Sequence, residues 1–195
     1  VGGDVFYAHG IYFNDEELRF LADTGTGVAH CPCSNMKLSS GVARIPEMLR
    51  LGVPVGLAVD GSASNDASNL MEEMRAAYLM HRLRYGADAP SGYGLLKMAT
   101  RGSARLLGRD KLGQISEGCA ADLFAIRYDR LELVCAEMDE ANLFGTVGYH
   151  LPADAVWVAG RQTVKDGALL TLDEERVAAE SRAETNRLLS AAAGK

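Results

Sequence analysis

Apolar residues along this chain fall into short unbroken runs, separated by stretches in which they recur at helical spacing. Residues 5–8 form the first run and predict a short buried strand ending at His9-Gly10. Asn14-Asp15-Glu16-Glu17 then matches a capping box, and Leu18, Leu21 and Ala22 give the helix that follows its apolar face. Gly25 and Gly27 close that helix. Val28-Ala29 predicts a second strand ending at His30, and a long loop is expected from Cys31 to about Gly41. Ile45, Met48 and Leu49 mark another helix, stopped by Gly52. Residues 53–59 predict a third strand, which delivers Asp60 into the polar stretch Gly61-Ser62-Ala63-Ser64-Asn65-Asp66. A longer helix is expected from near Ser68 through Leu70, Met74, Ala77 and Tyr78 to about Tyr85.

The predicted strands do not alternate apolar with polar, so they read as buried on both faces. That is the habit of parallel sheets covered by helices. Three strand–helix units fit an α/β architecture, either an open doubly wound sheet or part of a closed barrel. His9, His30 and Asp60 all fall at strand ends, on the face where both architectures place their chemistry. Helical stretches are expected at 95–99 and 103–107. The pattern then changes near Gly113 to short apolar runs at Gln114-Ile115, 123–127, 155–158 and 162–164. Turn pairs at Glu117-Gly118, Ala159-Gly160 and Asp166-Gly167 make this a small antiparallel β module. A charged helix is expected from 173 to 189.

Composition narrows the function classes. The 195 residues carry a net charge of −6 with no Lys/Arg cluster, which argues against a nucleic-acid partner. No apolar stretch is long enough for a membrane span, and Val1-Gly2-Gly3-Asp4 lacks the basic and apolar regions of a signal peptide. A cytoplasmic protein with reduced thiols at Cys31, Cys33, Cys119 and Cys135 is the expectation. Cys31-Pro32-Cys33 has C-x-C spacing without a second pair, so a structural or incidental role is expected rather than a zinc site. The chain begins with Val and enters its first apolar run almost at once, so it is expected to be part of a longer protein. No glycine-rich phosphate loop stands at any strand-to-helix junction.

Position alone leaves Asp60 with two roles, a turn-capping carboxylate or a catalytic group at a strand tip. His9 divides the same way between a core histidine and a catalytic one. His30 reads as a pocket residue, and a weak candidate for substrate binding, or as a holder of the loop after it. Asn35 and Lys37 are expected to order that loop, and His81 and His150 to be solvated or structural. Met71, Met74, Met80 and Tyr78 sit at helical spacing and are expected to pack.

Several motifs carry a family resemblance. These are Ala8-His9-Gly10, His30-Cys31-Pro32-Cys33-Ser34-Asn35-Met36-Lys37-Leu38 and Val59-Asp60-Gly61-Ser62-Ala63-Ser64-Asn65. Downstream, the helix motif at 99–108, Gly113 through Leu123, and Val156-Trp157-Val158-Ala159-Gly160-Arg161 complete the set. In this order and spacing they resemble the C-terminal half of the metal-dependent amidohydrolase superfamily. The branch is that of guanine deaminase, S-adenosylhomocysteine deaminase and the chlorotriazine hydrolases. Asp60 through Asp66 and Leu79 through Gly86 look most like 8-oxoguanine deaminases and their hydroxyatrazine-hydrolase-like relatives.

The resemblance implies strands six to eight of a (β/α)8 TIM barrel over 1–112, half of a composite β-sandwich over 113–172 and a C-terminal helix over 173–195. It implies one divalent metal ion, zinc or alternatively iron, with Asp60 as its carboxylate ligand. It also makes Asp60 the acceptor of a proton from the attacking water, with His9 hydrogen-bonding the attacking oxygen and the developing oxyanion. The family's H-x-H on the first barrel strand, and its strand-five histidine and glutamate, are absent from this chain, so the segment alone is expected to be inactive. The implied activity is hydrolytic deamination of a purine-type ring, 8-oxoguanine foremost, by a protein expected to be homo-oligomeric at full length. An s-triazine amidohydrolase or chlorohydrolase is the enzymatic alternative. A non-catalytic scaffold of the same fold is the third reading.

Overall fold

The computed structural model describes residues 1–193, and the chain divides into two units. The first comprises 1–120 and 128–151; the second comprises 121–127 and the residues from 152 onward. Three parallel strands centre the first unit: β1 (Phe6–Ala8), β2 (Gly27–His30) and β3 (Val55–Leu57), paired in chain order. Phe6 lies opposite Gly27, Val28 opposite Val55, and His30 opposite Leu57. β2 and β3 are buried throughout, as their unalternated sequences require. β1 differs from the expected buried strand: it lies at the sheet edge and all three residues are exposed. Its sequence is that of a covered strand, but among the described residues only β2 pairs with it.

Local chemistry explains the connections. α1 (Asp15–Thr24) starts at Asn14, whose side chain accepts from the amides of Glu16 and Glu17 while the Glu17 carboxylate accepts from the Asn14 amide. Gly25 ends it in the left-handed conformation, and Gly27 already belongs to β2. The expected loop after His30 instead contains α2 (Pro32–Lys37). Pro32 presets φ at the first turn, where its missing N–H costs nothing. α3 (Ile45–Leu51) follows and stops at Gly52. β3 is shorter than the apolar run 53–59 because its partner β2 ends opposite Leu57; the last link is the Ala58 amide donating to the His30 carbonyl at 2.9 Å. Val59 and Asp60 are thereby released from the ladder.

α4 (Leu70–Tyr85) buries Glu73, Met74, Ala77, Met80 and His81, a stripe at helical spacing that carries two polar residues. α5 (Gly92–Lys97), a π-helical turn (Met98–Gly102) and α6 (Ser103–Leu106) continue as one helical stretch. Gly102 passes so close to β3 that a Cβ there would lie 2.2 Å from the Val55 carbonyl oxygen. The next residue, Ser103, donates its hydroxyl to the Leu57 carbonyl at 2.8 Å and accepts from the Leu57 amide at 3.1 Å, so it satisfies the free edge of β3. Residues 128–151, unassigned by the apolar pattern, form short 3₁₀ turns and α7 (Leu143–Thr146), which packs on α4 and α5.

The second unit is an antiparallel sheet of β4 (Leu123–Ala125), β5 (Ala155–Val158), β6 (Arg161–Lys165) and β7 (Ala168–Leu169). Both hairpins close on two residues with positive φ, Ala159-Gly160 at 50° and 77° and Asp166-Gly167 at 51° and 79°. Paired positive φ is the type I′ geometry that matches strand twist. Gln114-Ile115, read as a strand, is not one; Ile115 is exposed and unpaired with any strand among the described residues. α8 (Glu174–Ala193) starts on Asp173, whose carboxylate accepts from the Arg176 amide, and runs four residues past the expected end at 189. Residues 194 and 195 of the expected C-terminal segment lie outside the described residues.

Candidate active site

The C-terminal ends of the parallel strands gather the polar residues of the first unit. His9 follows β1 directly, and Asp60 stands three residues beyond β3. Their side chains meet: His9 Nε2 lies 3.9 Å from Asp60 Oδ2, and both remain about a third exposed. Each residue is held in the left-handed region, at φ 67° and 65°. Side-chain-bearing residues are uncommon there and concentrate at functional sites.

Hydrogen bonds fix both groups. Asn35 Oδ1 accepts from His9 Nδ1 at 2.8 Å, which leaves Nε2 free to face Asp60. Asp60 accepts from Ser34 Oγ at 2.6 Å, from Ser64 Oγ at 2.8 Å and from the Gly61 amide at 2.8 Å. The Ser34, Ser64 and Gly61 donors, in that order, together with the nearby His9, hold the Asp60 carboxyl down at about 2. Asp60 is therefore a carboxylate at any working pH. A molecule placed between the two side chains meets an imidazole nitrogen on one side and a proton-accepting carboxylate on the other.

His30 has a different setting. Its ring is fully buried, and its Nε2 lies 3.1 Å from Nε2 of His81, itself fully buried on α4. Burial first, then the neighbouring His81 and His9, hold His30 well below the ordinary histidine range; burial takes His81 down to about 4. Both rings are neutral near pH 7. The structure thus brings His9 and Asp60 together and sets His30 behind them, with no surface for a ligand. His81, expected to be solvated or structural, takes the structural role, while His150 is exposed.

Lys37 pairs with Asp66 and donates to the Ala63 carbonyl at 3.2 Å, tying α2 to the loop after β3. The four cysteines are free. Burial raises Cys31 to about 11, and burial with Glu73 alongside raises Cys33 to about 12, so neither offers a thiolate near neutral pH. Beside His9 opens a cleft of about 490 Å³, lined by Tyr7, Ile11, Tyr12, Phe13 and Leu38 among others. Its size and aromatic lining suit a small flat ligand.

Ser34, Ser64 and Glu73 were not legible as site residues. Ser34 and Ser64 lie inside the motifs, but membership alone gave neither of them a role. Glu73 carried a signal, because it falls on the apolar stripe of α4, where an acid needs a reason to be buried.

The donor set can be tested against a metal ion. A tetrahedral zinc site takes at least three protein ligands. Among the described residues no group of three His, Cys, Asp or Glu side chains could hold an ion. His9 and Asp60 stand side by side as one imidazole and one carboxylate, fewer groups than such a centre takes.

An α/β unit with polar side chains at the ends of its parallel strands gives the architecture, and the family follows from comparison. The Amidohydrolase family model matches residues 3–163, and the chain belongs to this family. It is 44% identical over 190 residues to 8-oxoguanine deaminase of Pseudomonas aeruginosa, covering 97% of this chain and 42% of that protein. It is 42% identical over 181 residues to hydroxydechloroatrazine ethylaminohydrolase of Pseudomonas sp. strain ADP, covering 91% and 38%. The zinc complex of an atrazine chlorohydrolase from Arthrobacter aurescens superposes with a TM-score of 0.87 at 35% identity, covering 93% of this chain and 41% of that one. An adenosine deaminase from Xanthomonas campestris with bound zinc gives 0.92 at 27% identity, covering 97% and 44%. The chain thus spans about two-fifths of the length of these relatives.

Proposed function

We propose that this chain forms part of a metal-dependent hydrolytic deaminase of a purine-type ring, with 8-oxoguanine as the leading substrate. The observation that carries the reading is the open His9–Asp60 pair, 3.9 Å apart, with Asp60 kept ionised by three donors. The relatives add the chemistry: two are named for hydrolysis of nitrogen heterocycles, and structural neighbours were crystallised with zinc. In this reading β1, β2 and β3 are strands six to eight of a barrel. Asp60 is the carboxylate ligand of one divalent ion, zinc or alternatively iron, whose other ligands come from the part of the relatives' length that this chain does not span. A divalent ion there supplies the Lewis acidity that makes water nucleophilic near neutral pH.

Asp60 accepts a proton from the attacking water. Its three donors keep the carboxylate oriented while that proton arrives. His9, its ring fixed at Nδ1 by Asn35, presents Nε2 to the attacking oxygen; when protonated it donates there to the developing oxyanion. Water adds to the amine-bearing ring carbon, one of its protons passes by way of Asp60 to the departing amino group and the other ends on the ring nitrogen, the C–N bond breaks, and the products are a ring carbonyl and ammonia. The aromatic cleft beside His9 is the place for the flat ring.

A second reading keeps the same machinery and changes the ring to an s-triazine. The 42% identity to an ethylaminohydrolase of that class favours it. Ammonia release from 8-oxoguanine and guanine, beside ethylamine release from hydroxyatrazine, tests both with the complete protein. Turnover of 8-oxoguanine is the expected result; hydroxyatrazine turnover with both purines inert would replace the first reading by the second. Inertness toward all three, with less than about one equivalent of tightly bound metal, would favour a non-catalytic scaffold.

A further inference from the structure

Glu73 is a carboxylate in the wrong place for its sequence pattern. It lies on the buried stripe of α4 with no solvent exposure, and no cation pairs with it among the described residues. Burying a charge this way is costly unless it is hydrogen-bonded. Its two oxygens reach in two directions. Oε2 accepts from the backbone amide of Cys33 at 3.0 Å, and Oε1 accepts from Asn65 Nδ2 at 2.6 Å. The same Asn65 nitrogen also donates to the carbonyl of Val59 at 2.9 Å.

Each partner is one covalent step from Asp60 or from a residue that holds it. Cys33 precedes Ser34, whose hydroxyl donates to Asp60 Oδ2 at 2.6 Å. Val59 precedes Asp60 itself. The segment after β2 and the segment after β3 are therefore strapped to one point on α4. Beyond Leu57 the ladder between them has ended, and Ala58 makes its last backbone link. Past that link, the two segments are joined to each other through side chains, Ser34 to Asp60 and Lys37 to Ala63 and Asp66.

We infer that Glu73 is a positioning residue for Asp60, acting through Asn65–Val59 on one side and Cys33–Ser34 on the other. This role rests on the one proposed for Asp60, but part of its test does not. Glutamate suits this task where glutamine does not. Both partners donate, so an amide nitrogen at either oxygen position sets donor against donor.

The test uses the complete protein and Glu73→Gln. Amide hydrogen exchange is expected to quicken about tenfold at 33–38 and at 61–65 together, with the middle of α4 unchanged. Turnover is expected to fall about 10- to 100-fold in kcat with KM within about threefold, the scale for groups that orient a reacting side chain. In an Asp60→Asn background the same change is expected to remove nothing further from kcat. Unchanged exchange in both segments overturns the inference, and so does a loss confined to KM. If the wild-type protein turns over no ring, the proposed reaction fails, and the exchange result alone decides the role of Glu73. If Glu73→Gln does not fold, Asn65→Ala serves: faster exchange at 61–65 with 33–38 still protected supports the strap, and wild-type exchange at 61–65 refutes it.

Discussion

The ends of β1 and β2 each carry a histidine, and the two have opposite surroundings. His9 stands at the rim, about a third exposed, with one nitrogen fixed by Asn35 and the other turned to Asp60. His30, on the adjacent strand, is fully buried, and its Nε2 meets Nε2 of His81. Among the described residues, the Nδ1 atoms of both buried rings lack a hydrogen-bond partner. Strand position put both histidines at the C-terminal ends of the parallel strands, but what lies over each strand end separates them. β2 runs into α2 and its His30 meets His81 of α4, whereas His9 and residues 10–13 after β1 line an open cleft. The proposed chemistry therefore falls to the rim pair, and a packing role to the buried pair.

The largest effect that can break this division is at Asp60. In the complete protein, Asp60→Asn is expected to lower kcat at least about a thousandfold, because the variant loses the proton acceptor and the charge facing His9. Steady-state ammonia release measures it, and a loss under about tenfold would return Asp60 to the role of a turn carboxylate. Next comes His81→Ala, which empties a buried ring site and strands His30. A destabilisation of about 3 kcal/mol is expected in denaturant unfolding, with kcat retained within a few-fold. A large kcat loss without destabilisation would move the buried pair into the chemistry.

Acid should weaken the buried pair before it reaches the rim. The folded pKa of His81 is depressed to about 4 against an ordinary 6.5. Above about pH 6.5 neither state binds that proton, and stability is full. As pH falls from about 6.5 toward 4 the unfolded chain takes up the proton first, so stability declines through that window and levels off below it. Thermal unfolding across pH 7 to 4 should lose several degrees in the wild type and visibly less in His81→Ala. The smallest expected effect is Ser64→Ala. Ser34 and Gly61 still hold Asp60, so kcat should fall no more than about tenfold.

Much of this molecule was legible because local chemistry agreed with the fold. The capping box at Asn14, the stops at Gly25 and Gly52, and the hairpins at Ala159-Gly160 and Asp166-Gly167 form as residue types require. His9 and Asp60 stood out by position and motif. Three features were not legible. α2 was hidden because Pro32 reads equally as a loop residue and as a helix start. Residues 128–151 lack period, since α7 is held by its packing on α4 and α5; a Cβ on Gly145 would lie 2.7 Å from Tyr78. Ser64 and Gly61 support Asp60 from within its own loop, but Ser34 with Asp60 and Cys33 with Glu73 join segments 26 and 40 residues apart, and no local pattern encodes such distances.

The two histidines allow the most direct test. His9→Asn and His30→Asn are made in the complete protein, and kcat and Tm are measured on the same preparations. If the rim pair carries the chemistry, His9→Asn loses about a hundredfold or more in kcat with Tm within about two degrees of wild type. His30→Asn is then expected to lose several degrees of Tm while kcat stays within about tenfold. The reverse pattern, with turnover surviving at His9 and collapsing at a stably folded His30 variant, would contradict this division of roles.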